Sequence, residues 1–185
     1  MAKIEDTLKL IWEVEYSGNK SKALEKNAGE TGLTYKGIYQ TAHPQWEGWR
    51  VVRAAMQKYN GDMKLAGEML FDNAELEAMV VVFYKREFWD KMKLDMIVSQ
   101  KIADEMMVFG VNVGIGHAVR AAQRIAAVPQ DGVIGPKTIA ALNKVDETVF
   151  DEMYDILEID YYEKLGEQPR FKQFVKGWRN RAVYV

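Results

Sequence analysis

At helical spacing, Ile4, Leu8, Ile11 and Glu15 fall on one face of the opening segment, so three apolar residues are followed on that face by a carboxyl group. An apolar stripe of this period specifies a helix packed on a core. Ser17-Gly18-Asn19 then supplies residues that close a helix through the left-handed turn. Glu15 is therefore expected in the last turn, on the buried face. Desolvation and the negative end of the helix dipole both favour the protonated form there. A carboxyl kept protonated near neutral pH is what a general acid needs. The other reading is a buried structural glutamate, satisfied by an arginine or by backbone donors. Glu5 and Glu13 lie off the face and read as solvated.

The same period runs through most of the chain. Asp62, Asn73, Ser99 and Asp146 each precede an apolar-periodic run and can cap a helix. The Asp62 run reaches Leu70. The Asn73 run carries Leu76, Met79 or Val80, Phe83 and Glu87, up to Trp89. The Ser99 run carries Ile102, Met106, Phe109 and Val113, and the Asp146 run extends through Val149, Met153, Ile156 and Leu157 to Tyr161. Trp49, Val52, Arg53 and Met56 mark a further helix ending near Asn60-Gly61. Ala118, Ala121, Ala122 and Ile125 mark one whose small face lets a neighbour approach closely. Pro136 stands at the first position of another, after a turn beginning at Asp131. Strand signals are confined to a short pair near Tyr35 to Tyr39 and to Val133-Ile134. The polar segment from Asn19 to Tyr35, with Gly29 and Gly32, reads as a long loop of the kind that carries function. The expected fold class is all-α, with two helical halves meeting near residue 95.

Composition narrows the function. Hydrophobic residues make up 48% of 185, enough for a substantial core, and the net charge of −2 argues against a broadly basic nucleic-acid binder. There are no cysteines, which removes disulfides and thiolate chemistry. No stretch approaches the roughly 20 apolar residues of a membrane helix. The opening MAKIEDTLKL carries acids and lacks a long apolar core, so it does not read as a secretory signal, and synthesis in the cytoplasm is expected. His43 and His117 stand alone, with no metal-ligand spacing, and no phosphate loop or nucleophile elbow is present. What remains is a carboxyl on an apolar helix face, followed by a Gly-rich polar loop with a second carboxyl, Glu30. Glycosidic hydrolysis uses an acid for the leaving oxygen and usually a second carboxylate for water or for attack on the sugar. Glu30 is equally readable as an ordinary loop acid.

Two sets of residues resemble a known family. Glu15-Tyr16-Ser17-Gly18 stands where glycoside hydrolase family 108, the lysozyme-like N-acetylmuramidases, some of them called secretion activators, ends its first helix in Glu-Gly-Gly-Tyr. Gly32-Leu33-Thr34-Tyr35-Lys36-Gly37-Ile38 matches that family's Gly-x-Thr-x-x-Gly-Ile signature at its fixed positions. The second half is similar to the predicted peptidoglycan-binding domain that accompanies the family. It has Val111-Asn112-Val113-Gly114, then Gln123, then Asp131-Gly132-Val133-Ile134-Gly135-Pro136-Lys137-Thr138, and ends in Gly177-Trp178-Arg179-Asn180-Arg181. Tyr16-Ser17 departs from the family's first motif. The family's acid before its paired glycines falls at Gly29, one residue before Glu30.

The resemblance implies a lysozyme-like helical fold of two closely packed halves, a catalytic domain over 1–95 and a peptidoglycan-binding domain over 96–185. It implies a peptidoglycan hydrolase cleaving between N-acetylmuramic acid and N-acetylglucosamine, with glycan strands as partner, no nucleic acid, no stable membrane insertion and no cofactor or metal. Glu15 would be the catalytic acid; the second carboxylate read from the loop, Glu30, stands one residue after the family's acid position, so water would be activated by Glu30 or by another group, or Glu15 would act alone. Thr34, Tyr35, Gly37 and Tyr39 would line the sugar cleft, with Asn112 and Gln123 contributing from the second half; Asn112 is also readable as a helix cap or a tie between two loops. Trp178, Trp46 and Trp49 are each readable as a sugar platform or a core anchor. A phage or prophage endolysin released to the wall through a holin, or through a host export route, is the expected setting. Two other functions stay open: a lytic transglycosylase, which cleaves the same bond with one acid, and a non-catalytic wall-binding or secretion-assisting protein.

Overall fold

The computed structural model describes residues 1–16, 19–26 and 31–184. Ser17, Gly18, the stretch 27–30 and with it Glu30 lie outside the described residues. The chain forms two compact units, Glu15–Tyr84 on the one hand and Met1–Val14 with Lys85–Val185 on the other. Among the described residues it is mostly helical, with nine α-helices and one small sheet.

In the unit Glu15–Tyr84, the last residues of α1 (Ile4–Tyr16) lead to a 3-10 turn, Lys20–Ala23. A three-stranded antiparallel sheet follows, of β1 (Leu24–Glu25), β2 (Thr34–Tyr35) and β3 (Ile38–Tyr39), then α2 (Gly48–Lys58), α3 (Met63–Phe71) and α4 (Ala74–Tyr84). Leu24 faces Tyr35 across the first pair and Thr34 faces Tyr39 across the second. The expected pair near Tyr35 to Tyr39 is thus present, as part of a slightly larger sheet. Asp62 accepts from the Leu65 amide at 3.0 Å and Asn73 from the Leu76 amide at 2.8 Å, the two expected caps. Helix α3 lies so close to the 3-10 turn that a Cβ at Gly67 would come within 2.7 Å of the Ser21 carbonyl oxygen.

Strands β2 and β3 are joined by Lys36-Gly37, with φ of 42° and 78°. Positive φ at both central residues is what a tight type I′ hairpin turn demands, and its twist matches that of the strands. Glycine accepts this freely. Lysine does not, and its retention there is explained by its contacts below.

In the other unit, α5 (Gln100–Val113) packs with α6 (Ile115–Ile125) and α8 (Glu147–Gly166), and α7 (Pro136–Leu142) and α9 (Val175–Ala182) complete it. Ser99 and Asp146 cap α5 and α8 as expected, and Pro136 opens α7. Ala118 and Ala122 are fully buried, and Tyr154 of α8 donates to the Ala118 carbonyl at 3.0 Å, so the small face does admit a neighbouring helix. Phe109 meets Tyr154, Tyr161 and Tyr162 edge-on at 5.5–5.8 Å between centroids. Val133-Ile134 is not a strand. It belongs to a turn that the Gln123 side chain holds.

Buried in this unit, Glu105 of α5 faces Asp151, Asp155 and Glu158 of α8, with Lys101 alongside. Burial first, then these carboxyls, push the Glu105 carboxyl up to about 10, and burial raises Asp155 to about 6.

Two outcomes follow from these contacts. A Cβ at Gly37 would lie 2.6 Å from the Tyr84 hydroxyl oxygen at a positive φ, whereas nothing lies within 4 Å of one at Gly135. Gly37→Ala is expected to lose about 1–3 kcal/mol in chemical denaturation, and Gly135→Ala less than about 0.5 kcal/mol. The folded chain holds the Glu105 proton more tightly than the unfolded chain does. Its contribution is complete below the ordinary value of 4.5 and is lost as pH rises toward and through about 10. In metal-free buffer, wild type should therefore lose stability relative to Glu105→Gln as melting is followed from acid to alkaline pH.

Candidate active site

The stripe that begins α1 behaves as expected for three of its four members: Ile4, Leu8 and Ile11 are buried. The fourth departs from expectation, because Glu15 is exposed. Leaving a carboxylate in water avoids its desolvation cost. Tyr16 turns inward instead and meets Phe71 edge-on at 5.9 Å.

Glu15 does not stand alone. Burial, and after it the Glu15 carboxylate, raise the hydroxyl of the buried Tyr84 well above the ordinary tyrosine value. The Tyr16 hydroxyl is raised likewise by burial, then by Tyr84, Glu15 and Glu25. Tyr84 donates to the Lys36 carbonyl at 2.7 Å, and Gly37 packs against the same hydroxyl. Glu15, Tyr16, Tyr84 and the Lys36-Gly37 turn thus form one neighbourhood, with the exposed carboxyl of Glu25 on β1 acting on it electrostatically.

Lys36 is the support of this turn. Its side chain is buried, its Nζ lies 2.5 Å from Glu77 Oε2 and 4.2 Å from the centre of the Phe71 ring, and its amide donates to the Ala23 carbonyl at 2.8 Å. A buried ammonium needs such a partner, and the partners hold the backbone in its left-handed state.

The expected cleft residues divide. Gly37 is exposed beside Tyr84, and Tyr39 is half-buried. Thr34 is buried, and Tyr35 has no exposed surface, with its hydroxyl donating to the Leu70 carbonyl at 2.9 Å. Tyr35 therefore supports the sheet from below and offers no face to a sugar. The tryptophans divide too. Trp49 is core, its Nε1 donating to the His43 carbonyl at 2.8 Å. Trp46 is half-buried and, with Arg50, Arg53, Glu47 and Met79, lines a cavity of about 380 Å³.

Asn112 and Gln123 belong to the other unit. Asn112 is exposed near the end of α5. Gln123 is 1% exposed, and its amide is spent inside the protein. Nε2 donates to Asp131 Oδ1 at 2.7 Å and to the Val133 carbonyl at 3.0 Å, and Oε1 accepts from the Gly132 amide at 2.9 Å. The role expected for it at a substrate is corrected to bracing the turn from Asp131. The Val133 amide and then Gln123 hold the Asp131 carboxyl below its ordinary value. Trp178 stacks on Tyr162 at 5.2 Å and ties α9 to α8. Beside it, Glu163, Glu167, Lys172, Lys176 and Arg179 contribute to a cavity of about 810 Å³.

Sequence reasoning missed Tyr84, Lys36, Tyr16 and Glu25. Tyr84 comes from a helix 48 residues beyond the turn it holds, and Lys36 occupies a variable place of the Gly-x-Thr-x-x-Gly-Ile signature. A glycine between two short strand signals is the one local feature that could have marked its neighbour as constrained.

Residues 18–114 match the family described as Glycosyl hydrolase 108, and residues 117–183 match the one described as Predicted Peptidoglycan domain. The first match starts three residues after Glu15. No curated protein matches the chain. SagA of Brucella abortus shares the fold, with a TM-score of 0.63 and 22% identity over 98% of this chain and 91% of that one. The two family matches make the chain a glycoside hydrolase that acts on peptidoglycan. Since the first of them spans more than half of the 185 residues, the chain belongs to the Glycosyl hydrolase 108 family.

Proposed function

We propose that the chain hydrolyses the bond between N-acetylmuramic acid and N-acetylglucosamine, with Glu15 as general acid. The observation that carries this reading is the neighbourhood of Glu15: an exposed carboxyl at a helix end, set beside the braced turn of the family's loop signature. A glycan laid over an exposed carboxyl strips water from it and favours the protonated form at the moment of reaction. Glu15 then gives its proton to the glycosidic oxygen as the bond to the sugar's anomeric carbon breaks. Water adds to that carbon and loses a proton, so that one reducing end forms for each bond cleaved.

A second carboxylate is needed to take the proton from water. Glu25 suits this role among the described residues, because its charge and that of Glu15 converge on the Tyr16 hydroxyl. Gly37 and the half-buried Tyr39 border the place where the sugar would lie, and the rigid turn fixes their backbone. The mixed-charge cavity beside Arg179 suits a wall peptide, which carries both amino and carboxyl groups.

Digestion of purified peptidoglycan, with mass analysis of the products, tests the reading. Wild type should release fragments with reducing muramic ends. Glu15→Gln should lower that release by about 10²-fold or more, and Glu25→Gln by a similar factor if it activates water. Anhydro-muramic ends would make the chain a transglycosylase and leave Glu25 without a role. Undiminished release by folded Glu15→Gln would remove Glu15 from the chemistry.

A further inference from the structure

We propose that Glu105 of α5 and Asp151 and Asp155 of α8 form a calcium site. One oxygen from each of the three carboxyls lies within 4.8 Å of the other two. Calcium holds its oxygen ligands at about 2.3–2.6 Å, so ligands on opposite sides of the ion are about 4.6–5.2 Å apart. The three oxygens thus span no more than one calcium coordination sphere.

A second observation points to an ion. Glu105 is 1% exposed, and neither of its carboxyl oxygens meets a hydrogen-bond donor. Asp155 Oδ1 is buried in the same condition. Structural carboxyls taken out of water are ordinarily met by amides, hydroxyls or a guanidinium. These face one another instead. The nearby cation is Lys101, whose Nζ is 3.0 Å from Asp151 Oδ1 but 3.8 Å from Glu105 Oε1, beyond hydrogen-bond reach. A divalent cation entering here would displace the proton held on Glu105 and balance the carboxylates that Lys101 does not neutralise. Glu158, buried one turn further along α8, adds a fourth carboxyl close enough to act on Glu105.

The donors are all hard oxygens, with no histidine or thiolate among them, which suits calcium and disfavours zinc. The site joins α5 to α8, so an ion there would brace the helix pair on which this unit's core is built. Asp151 and Asp155 are partly exposed, and this gives the ion a path from solvent.

The test uses the whole chain, stripped with a chelator and titrated with calcium chloride by calorimetry at neutral pH, with thermal melting alongside. One ion per chain is expected, with a dissociation constant of about 10⁻⁴–10⁻³ M, and a rise in melting temperature. Glu105→Gln and Asp151→Asn should each weaken binding by about tenfold or more. Asp151→Asn lies at a partly exposed position and guards against a folding defect in the first variant. Lys101→Met should tighten binding, because it removes the competing ammonium. No heat and no melting shift in wild type at ten times the upper constant would overturn the proposal. So would calcium binding that both carboxyl variants retain, or binding that only magnesium produces.

Discussion

The hydrogen bond from the Tyr84 hydroxyl to the Lys36 carbonyl is the contact on which the region around Glu15 depends. It fixes a two-residue turn in which a lysine adopts a conformation that lysine disfavours. Three further contacts act on the same residue: the Ala23 carbonyl, the Glu77 carboxylate and the Phe71 ring. Strain of this kind persists only where the surroundings over-determine it. With the turn held, Gly37 rests on the Tyr84 oxygen, and the Glu15 carboxylate acts on the same hydroxyl. A rigid backbone beside an exposed acid is suited to holding a glycan still while one proton moves.

Much of the fold could be read directly from the sequence, because its signals are local. Asp62, Asn73, Ser99 and Asp146 each cap the helix that their position announced, since a side-chain oxygen next to a run of free amides has few other places to bond. The apolar stripe of α1 was equally plain. Its end was not: periodicity gives the direction of a side chain but not how far the core extends, and Glu15 lies past that edge. Tyr35 and Gln123 show a related gap. Both stand in motifs that suggest substrate contact, yet each is bonded inside the protein, Tyr35 to the Leu70 carbonyl and Gln123 to the turn after it. Their partners lie 35 and 8–10 residues away, and no local pattern announces them. Tyr84 stayed hidden for the same reason.

The two units share chemistry of different kinds. The unit Glu15–Tyr84 gathers carboxyls and tyrosine hydroxyls at an exposed helix end. The other unit places its carboxyls inside, between α5 and α8, where they cost stability unless something neutralises them. Exposed acids are available to a substrate, and buried ones respond to what the solvent supplies in protons or ions. Enzyme and wall-binding sequence families meet in this chain within a few residues of each other, the first match ending at 114 and the second beginning at 117.

The Gln123 amide carries a consequence for how the molecule ages. One face of that group donates to the Asp131 carboxylate and the Val133 carbonyl, and more distantly to the Thr138 hydroxyl, and the other accepts from a backbone amide. Loss of ammonia would turn glutamine into glutamate and replace the donor with a third oxygen, facing a carboxylate and a carbonyl. The turn would then be pushed from the helix by the residue that had held it. Because Gln123 is sealed from water, this change is slow in the folded chain and open to any chain that unfolds. Old, once-unfolded molecules would thus carry a chemical mark that refolding does not erase.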